Sequence, residues 1–240
     1  MSDKRKFKNI LTLLKSLVRY NLKIVFANKF IYFLLAAVFI FLFVTTINLF
    51  DSDSNPTEVT VYYLLLVPGL LLVFYPSTFG IQNDMDTQMI EILFGIPNYR
   101  YKVWLVRLIL IYFVVSAILF ILSILCSIAL ITVPLLTMVF QLMFPIFFFG
   151  SVAFMFSTFV RNGNGTAVIM VIIGMAFWIA SDNLEHSKWN LFLNPFNMPS
   201  SLNDLVWGEI VLSNRLYLMV GIILAILLGL LNLQKREKFI

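Results

Sequence analysis

The sequence predicts an all-helical, polytopic membrane protein with six transmembrane helices. Of its residues, 61% are hydrophobic and 12% are charged, and the mean hydropathy is +0.95. Runs of about 18 or more apolar residues recur along the chain, which is more than a soluble core of this size accommodates. These runs lack the alternation of apolar and polar residues in barrel strands, and a backbone in lipid must satisfy its own hydrogen bonds. The spans are therefore predicted to be helices.

Windows of about 20 residues, the length that crosses the hydrocarbon layer, locate the spans. They are predicted at Phe30–Phe50, Glu58–Gly80, Val103–Leu125, Leu135–Val160, Thr166–Ser181 and Leu216–Leu233. A tight corner at Thr132–Pro134 separates the third and fourth spans, and Pro145 is expected to kink the fourth. The fifth span is short, which is compatible with a broken helix end. Residues 1–240 are predicted to form a single transmembrane domain.

The distribution of Lys and Arg predicts the orientation. Fifteen of the 17 basic residues fall on one side, and only Lys188 and Arg215 fall opposite. The positive-inside rule then places both termini in the cytosol, as expected for a multi-pass protein of a bacterial cytoplasmic membrane. The acidic residues on the other side are Asp51, Asp53, Asp182, Glu185, Asp204 and Glu209.

The basic residues that give the chain a pI of about 9.3 flank the spans. They are therefore expected to face anionic membrane lipids, and no nucleic-acid partner is predicted. Cys126 is the only cysteine, so it cannot form a disulfide within the chain, and it is expected to pack as a small apolar residue. No cofactor or metal is predicted.

Residues 1–29 are predicted to form an amphipathic helix on the cytosolic membrane surface. At 100° per residue, apolar and basic side chains fall on adjoining faces. The residues that define these two faces include Phe7, Leu11, Leu14, Lys15 and Arg19. The helix could serve as a topology anchor or as a lever that joins a cytosolic partner to the first span, and the sequence leaves both open.

A polar segment, Gln82–Lys102, interrupts the apolar runs between the second and third spans. Its apolar residues recur at helical spacing from Ile81 to Ile96, and Gly95–Pro97 ends the pattern. A short cytosolic helix over residues 81–102 would fit a groove on a soluble subunit. The alternative is a solvated loop with helical character.

The residues from Ile90 to Arg100, IEILFGIPNYR, together with Arg107, resemble the coupling segment of the type-two ABC exporter permeases. That family carries a Gly-Thr pair, a Glu, a Leu pair, a Pro and two basic residues in this order. The corresponding residues here are Glu91, Leu93, Pro97, Arg100 and Arg107. Gln88 and Met89 stand where Gly and Thr are usual.

The resemblance extends along the whole chain. The interfacial N-terminal helix, the six spans, residues Phe156–Asn162 and the external Asn194–Phe196 follow the family's order and orientation. It implies a permease that works as a homodimer or heterodimer, with each copy bound to a separate P-loop ATPase subunit. The residues expected to contact that subunit are Asp84, Glu91, Leu93, Pro97 and Arg100. The chain has no GxxxxGK[ST] motif, so ATP is expected to be bound by the partner.

The external segment, residues 182–214, interleaves aromatic residues with Asn, Ser and Pro. This composition favours short helices that dip into the outer interface and pack against the bundle. The alternative is a gate or exit path for an amphiphilic substrate.

An enzymatic function is not predicted. His186, the only histidine, is expected on the surface, and the spans are expected to contain essentially no buried Asp, Glu, Lys or Arg. The apolar spans favour export of a hydrophobic or amphiphilic substrate. The alternative to a transporter is a membrane scaffold or assembly subunit of an envelope complex.

Overall fold

The computed structural model describes residues 30–51, 55–86 and 99–233, which form helices joined by turns and irregular segments. The helices are α1 Phe30–Phe50, α2 Glu58–Asp86, α3 Tyr99–Ala129, α4 Leu135–Val160, α5 Gly163–Asn183 and α6 Asp204–Leu233. All six are long and apolar enough to cross a membrane. The prediction of an all-helical protein with six candidate spans is confirmed, and the chain fits a multi-pass membrane protein. The predicted interfacial helix (1–29) and residues 87–98 of the predicted coupling helix lie outside the described residues.

Three helices extend well beyond the predicted spans. α3 runs from Tyr99 to Ala129 rather than from Val103 to Leu125. α2 continues from Gly80 to Asp86, and α6 begins at Asp204 rather than at Leu216. An apolar window detects only the part of a helix that crosses the hydrocarbon layer, whereas backbone hydrogen bonding continues through polar residues at the interface. The irregular part of the predicted external segment is therefore confined to residues 184–203. α5 is a continuous helix of 21 residues, so its predicted broken end is absent.

α2 and α4 form the centre of the bundle. α2 packs against α1, α3, α4 and α5, and α4 also packs against α3, α5 and α6. Buried residues make up 67% of the apolar window of α2 and 56% of that of α4, against 17–33% in the other helices. Gly150 brings the two central helices close together, because a Cβ atom there would lie 2.6 Å from Val73 Cγ2. Pro145 lies within α4, which continues unbroken through it.

The connection between α4 and α5 is a turn of two residues. Arg161 ends α4 with a left-handed φ of 59°, and its backbone N–H donates to the Ser157 carbonyl oxygen. Asn162 then caps α5, because its side-chain oxygen accepts from the backbone N–H groups of Asn164 and Gly165. This tight turn fixes where α5 begins. The first residue of α5, Gly163, consequently lies next to the end of α2.

Candidate functional site

A buried ion pair joins α2 to α3 at the end of the bundle where residues 87–98 connect them, called here the 87–98 end. The Arg107 guanidinium donates to the Asp84 carboxylate, and the two residues are only 3% and 1% exposed. Asp84 lies in the last turn of α2, and Arg107 lies in the third turn of α3. A buried pair of this kind is held by mutual attraction because each charge has lost its water.

Trp104 completes this polar contact on the α3 side. The Arg107 Cζ atom lies 4.9 Å from the centroid of the indole ring, which is a cation–π distance. The same ring packs against Phe154 of α4, with 5.7 Å between the ring centroids. The charge of Arg107 therefore lies between a carboxylate of α2 and an aromatic ring that is anchored on α4.

A second polar contact at the 87–98 end joins α2 to α5. The side-chain oxygen Oε1 of Gln82 accepts a hydrogen bond from the backbone N–H of Gly163, at 2.5 Å. Gly163 is buried against the ring of Phe79, and it leaves no room for a Cβ atom. We call Gln82, Asp84, Trp104, Arg107 and Gly163 the polar junction. It connects the last turn of α2 to both α3 and α5.

The residues predicted to contact an ATPase subunit have different positions. Asp84 is buried in the polar junction, and its carboxylate is bound by Arg107 rather than presented on a surface. Arg100 belongs to the first turn of α3. Glu91, Leu93 and Pro97 lie outside the described residues. The predicted residues of the N-terminal helix, which also lie outside them, are Phe7, Leu11, Leu14, Lys15 and Arg19.

The opposite end of the bundle, where residues 184–203 connect α5 and α6, contains a second buried polar cluster. We call this end of the bundle the 184–203 end. Arg215 of α6 donates through Nε to Gln141 Oε1 at 2.8 Å and through Nη1 to Asn214 Oδ1 at 2.9 Å. Its Nη2 donates to the Leu193 carbonyl oxygen at 3.2 Å. All three acceptors are uncharged, so Arg215 connects α4, α6 and the irregular segment through hydrogen bonds.

Residues 190–196 of the connecting segment lie inside this end of the bundle, in turns rather than in the predicted short helices. Leu193 is fully buried, and its carbonyl oxygen also accepts from the Tyr62 hydroxyl of α2, at 3.3 Å. The Asn194 side chain donates to the Val59 carbonyl oxygen at 3.3 Å, and Trp207 Nε1 donates to the Pro195 carbonyl oxygen at 2.9 Å. Irregular backbone can be buried here because side chains of the bundle donate hydrogen bonds to its carbonyl oxygens.

The expectation that the spans contain essentially no buried ionisable residues is wrong. Asp84, Arg107 and Arg215 all lie buried within the helices. Counting charges assigned Arg107 and Arg215 to the flanks because each lies near the end of an apolar run. The signal that could have identified Asp84 is the helical spacing of Ile81 and Met85 around it, which continues α2 beyond the apolar window.

The chemistry of the polar junction suits mechanical connection. It contains one ion pair, one aromatic ring and one backbone hydrogen bond, and it brings together no nucleophile with a base. Across residues 30–51, 55–86 and 99–233, no three His, Cys, Asp or Glu side chains lie close enough to hold a metal ion. His186 lies at the 184–203 end, 3.8 Å from Glu185, and both side chains are accessible.

Comparisons with known proteins gave no match: the chain is similar to no family model, no curated protein and no solved structure.

Proposed function

We propose that this chain is the membrane-spanning permease subunit of an ATP-driven exporter of the ABC type. It works as a dimer in a bacterial cytoplasmic membrane, binds a separate P-loop ATPase subunit, and moves a hydrophobic or amphiphilic substrate. The proposal combines the resemblance of residues 90–107 to a coupling segment with the predicted cytosolic position of that segment. The polar junction adds a physical reason for coupling through it.

The observation that carries the proposal is the Asp84–Arg107 ion pair. Asp84 lies three residues before segment 87–98, and Arg107 lies nine residues after it. The pair therefore holds the end of α2 to α3, the two helices that flank the segment, at the end of the bundle where a soluble subunit would bind. A force on the segment would reach α2 and α3 together instead of being absorbed by a flexible hairpin.

The position of Asp84 refines the proposed contact with the ATPase. Its carboxylate is buried inside the bundle and bound by Arg107, so the direct contacts are assigned to Glu91, Leu93, Pro97 and Arg100. A helix with an acidic residue and an apolar face is suited to a groove on a soluble partner. The ATPase supplies the energy, and this chain supplies the path across the membrane.

The test is to purify the tagged chain in mild detergent from its native membranes and identify what accompanies it by mass spectrometry. A P-loop ATPase in stoichiometric amount is the expected result. Recovery of the chain alone, or with envelope proteins only, would contradict the proposal and favour a membrane scaffold.

A further inference from the structure

α5 is the least enclosed of the six helices. Only 17% of its apolar window is buried, and the exposed side chains along it include Val168, Ile172, Met175 and Ile179. Contacts at its two ends therefore have a large influence on its position. At the 184–203 end, Trp178 packs against Phe192 with 5.8 Å between ring centroids. At the 87–98 end, the first residue of α5 is bound by Gln82.

The bond between Gln82 and Gly163 satisfies a group that the helix itself cannot satisfy. The first N–H groups of a helix have no partner within it, and the Gln82 side chain provides one for α5. The approach is close because residue 163 is glycine. A Cβ atom on Gly163 would lie 2.7 Å from Gln82 Oε1 and would overlap the ring of Phe79. The contact needs both the side-chain oxygen of Gln82 as acceptor and a glycine, which has no Cβ atom, at position 163.

Gln82 is also in the last turn of α2, which leads directly into segment 87–98. We infer that Gln82 is a positioning residue that transmits movement of the end of α2 to α5, through its hydrogen bond with Gly163. This inference rests on the proposed function, because the movement is driven by the ATPase subunit. α3 receives the same movement through Asp84 and Arg107, so one helix end drives two neighbours.

Three substitutions separate the hydrogen bond from general packing. Gln82→Leu removes the acceptor at similar volume. Gly163→Ala keeps the acceptor but forces the two helices apart. Gln82→Glu keeps an acceptor of the same length, so it is the conservative control. Its negative charge is favourable at the N-terminus of α5 and unfavourable at the C-terminus of α2.

The experiment measures the position of α5 by labelling. Asn164, exposed in the first turn of α5, is replaced by cysteine, and Cys126 can be kept because it is fully buried. The complex in native membrane vesicles is treated with a hydrophilic maleimide, with and without Mg-ATP and vanadate. We expect the labelling rate of the parent complex to change on addition of nucleotide. Loss of one hydrogen bond should reduce this change about fivefold in Gln82→Leu, and similarly in Gly163→Ala.

The outcomes are distinct. A reduced response in Gln82→Leu and Gly163→Ala, with a full response in Gln82→Glu, supports the inference. A full response in Gln82→Leu would overturn it, and so would an equal loss in Gln82→Leu and Gln82→Glu, since the acceptor would then not be the cause. A parent chain that brings down no ATPase would contradict the proposed function itself, and it is recognised before any labelling is done.

Discussion

At the scale of single residues, Asp84 and Arg107 are two charged side chains that are buried together, away from water. Their attraction offsets a desolvation cost of several kcal/mol for each ion, and Trp104 adds a cation–π contact to Arg107. Removing one partner destabilises the protein far more than removing both, because a single removal leaves a buried charge without its counter-charge. The polar junction is therefore sensitive to single substitutions that change only a few atoms.

We predict that Asp84→Asn destabilises the protein by about 3–5 kcal/mol, because it leaves the Arg107 charge buried without its counter-charge. The substitution changes shape very little, so packing does not explain a loss. The change in the free energy of unfolding is measured from the midpoint of denaturant-induced unfolding in detergent. The matched control is Glu185→Gln, which removes the accessible pair with His186 and should change stability by less than about 0.5 kcal/mol.

A second substitution at Arg107 tests the pair itself. Arg107→Met combined with Asp84→Asn removes both charges and should recover a large part of the loss seen in Asp84→Asn alone. If the double variant is as unstable as the sum of the two single variants, the two residues act independently and the ion pair is not what stabilises this end.

These residues show why part of the site could not be predicted from the sequence. Counting Lys and Arg predicts the charged flanks as a group, but it cannot distinguish a flanking Arg107 from an Arg107 that points inward to a carboxylate. That distinction depends on Asp84, 23 residues away, and on the way α2 and α3 pack. Such pairings depend on the tertiary packing of distant residues, whereas apolar runs can be recognised from neighbouring residues in the sequence.

At the scale of elements, residues 190–196 are held in place by a few hydrogen bonds. Arg215 contributes one of them, to the Leu193 carbonyl oxygen at 3.2 Å, and Asn214 contributes another, to the Asn190 carbonyl oxygen at 2.8 Å. Asn214 also donates to the Lys188 carbonyl oxygen, at 2.9 Å, just before these residues. A segment with so little regular structure depends on these side chains for its position. Its stability should therefore be local and separable from that of the helices.

We predict that Arg215→Met loosens this segment. The Leu193 carbonyl oxygen loses its charged donor, at a net cost of about 2 kcal/mol, which corresponds to about 30-fold faster exchange of the amides of residues 189–193. Hydrogen exchange followed by mass spectrometry measures this rate. Arg215→Lys should not restore the slow exchange of the parent chain, because an ammonium group cannot reproduce the planar donor geometry of a guanidinium group.

The control for this experiment is Asn197→Ala. Asn197 donates to Glu185 in an exposed position of the same segment, so its removal should leave the exchange of residues 189–193 nearly unchanged. Equal exchange in Arg215→Met and the parent chain would show that packing of Leu193, not Arg215, holds the segment.

The predicted coupling helix is tested by reversing one charge. Glu91→Lys should reduce the amount of ATPase subunit that co-purifies by about tenfold, because it replaces an attraction at the interface by a repulsion worth more than 1 kcal/mol. Quantitative mass spectrometry of the purified complex measures the ratio. Glu209→Lys, an exposed acidic residue of α6 near the 184–203 end, is the control and should leave the ratio unchanged. An unchanged ratio in Glu91→Lys would remove Glu91 from the contact.

Element boundaries were predictable where apolar residues reach the helix ends and not elsewhere. α1 and α4 have the predicted bounds because hydrophobic residues occupy both ends. α2 and α6 extend by six and twelve residues through polar sequence, Gln82–Asp86 and Asp204–Arg215. The extra turns carry Gln82, Asp84 and Arg215. Their partners Trp104, Arg107 and Gln141 lie within predicted spans, so hydropathy detects only part of each polar cluster.

At the scale of the whole molecule, the two buried clusters lie at opposite ends of the bundle and share α2. Tyr62, near its first residue, contacts the segment 190–196, and Asp84, near its last, contacts α3. α2 is also the most enclosed helix. α2 packs against four other helices, so α2 is the element through which events at the two ends of the bundle would be connected.

A connection between the two clusters through α2 would link the two sides of a membrane only if the clusters face different compartments. The distribution of Lys and Arg predicts that they do. We expect Lys235→Cys, in the predicted cytosolic tail, to react with an impermeant maleimide only after cells are permeabilised. Asp182→Cys, exposed near the end of α5, should react in intact cells. The single native Cys126 is buried and should contribute little background. Labelling of Lys235→Cys in intact cells would reverse the orientation, and segment 87–98 would then face away from any ATP-hydrolysing partner in the cytosol.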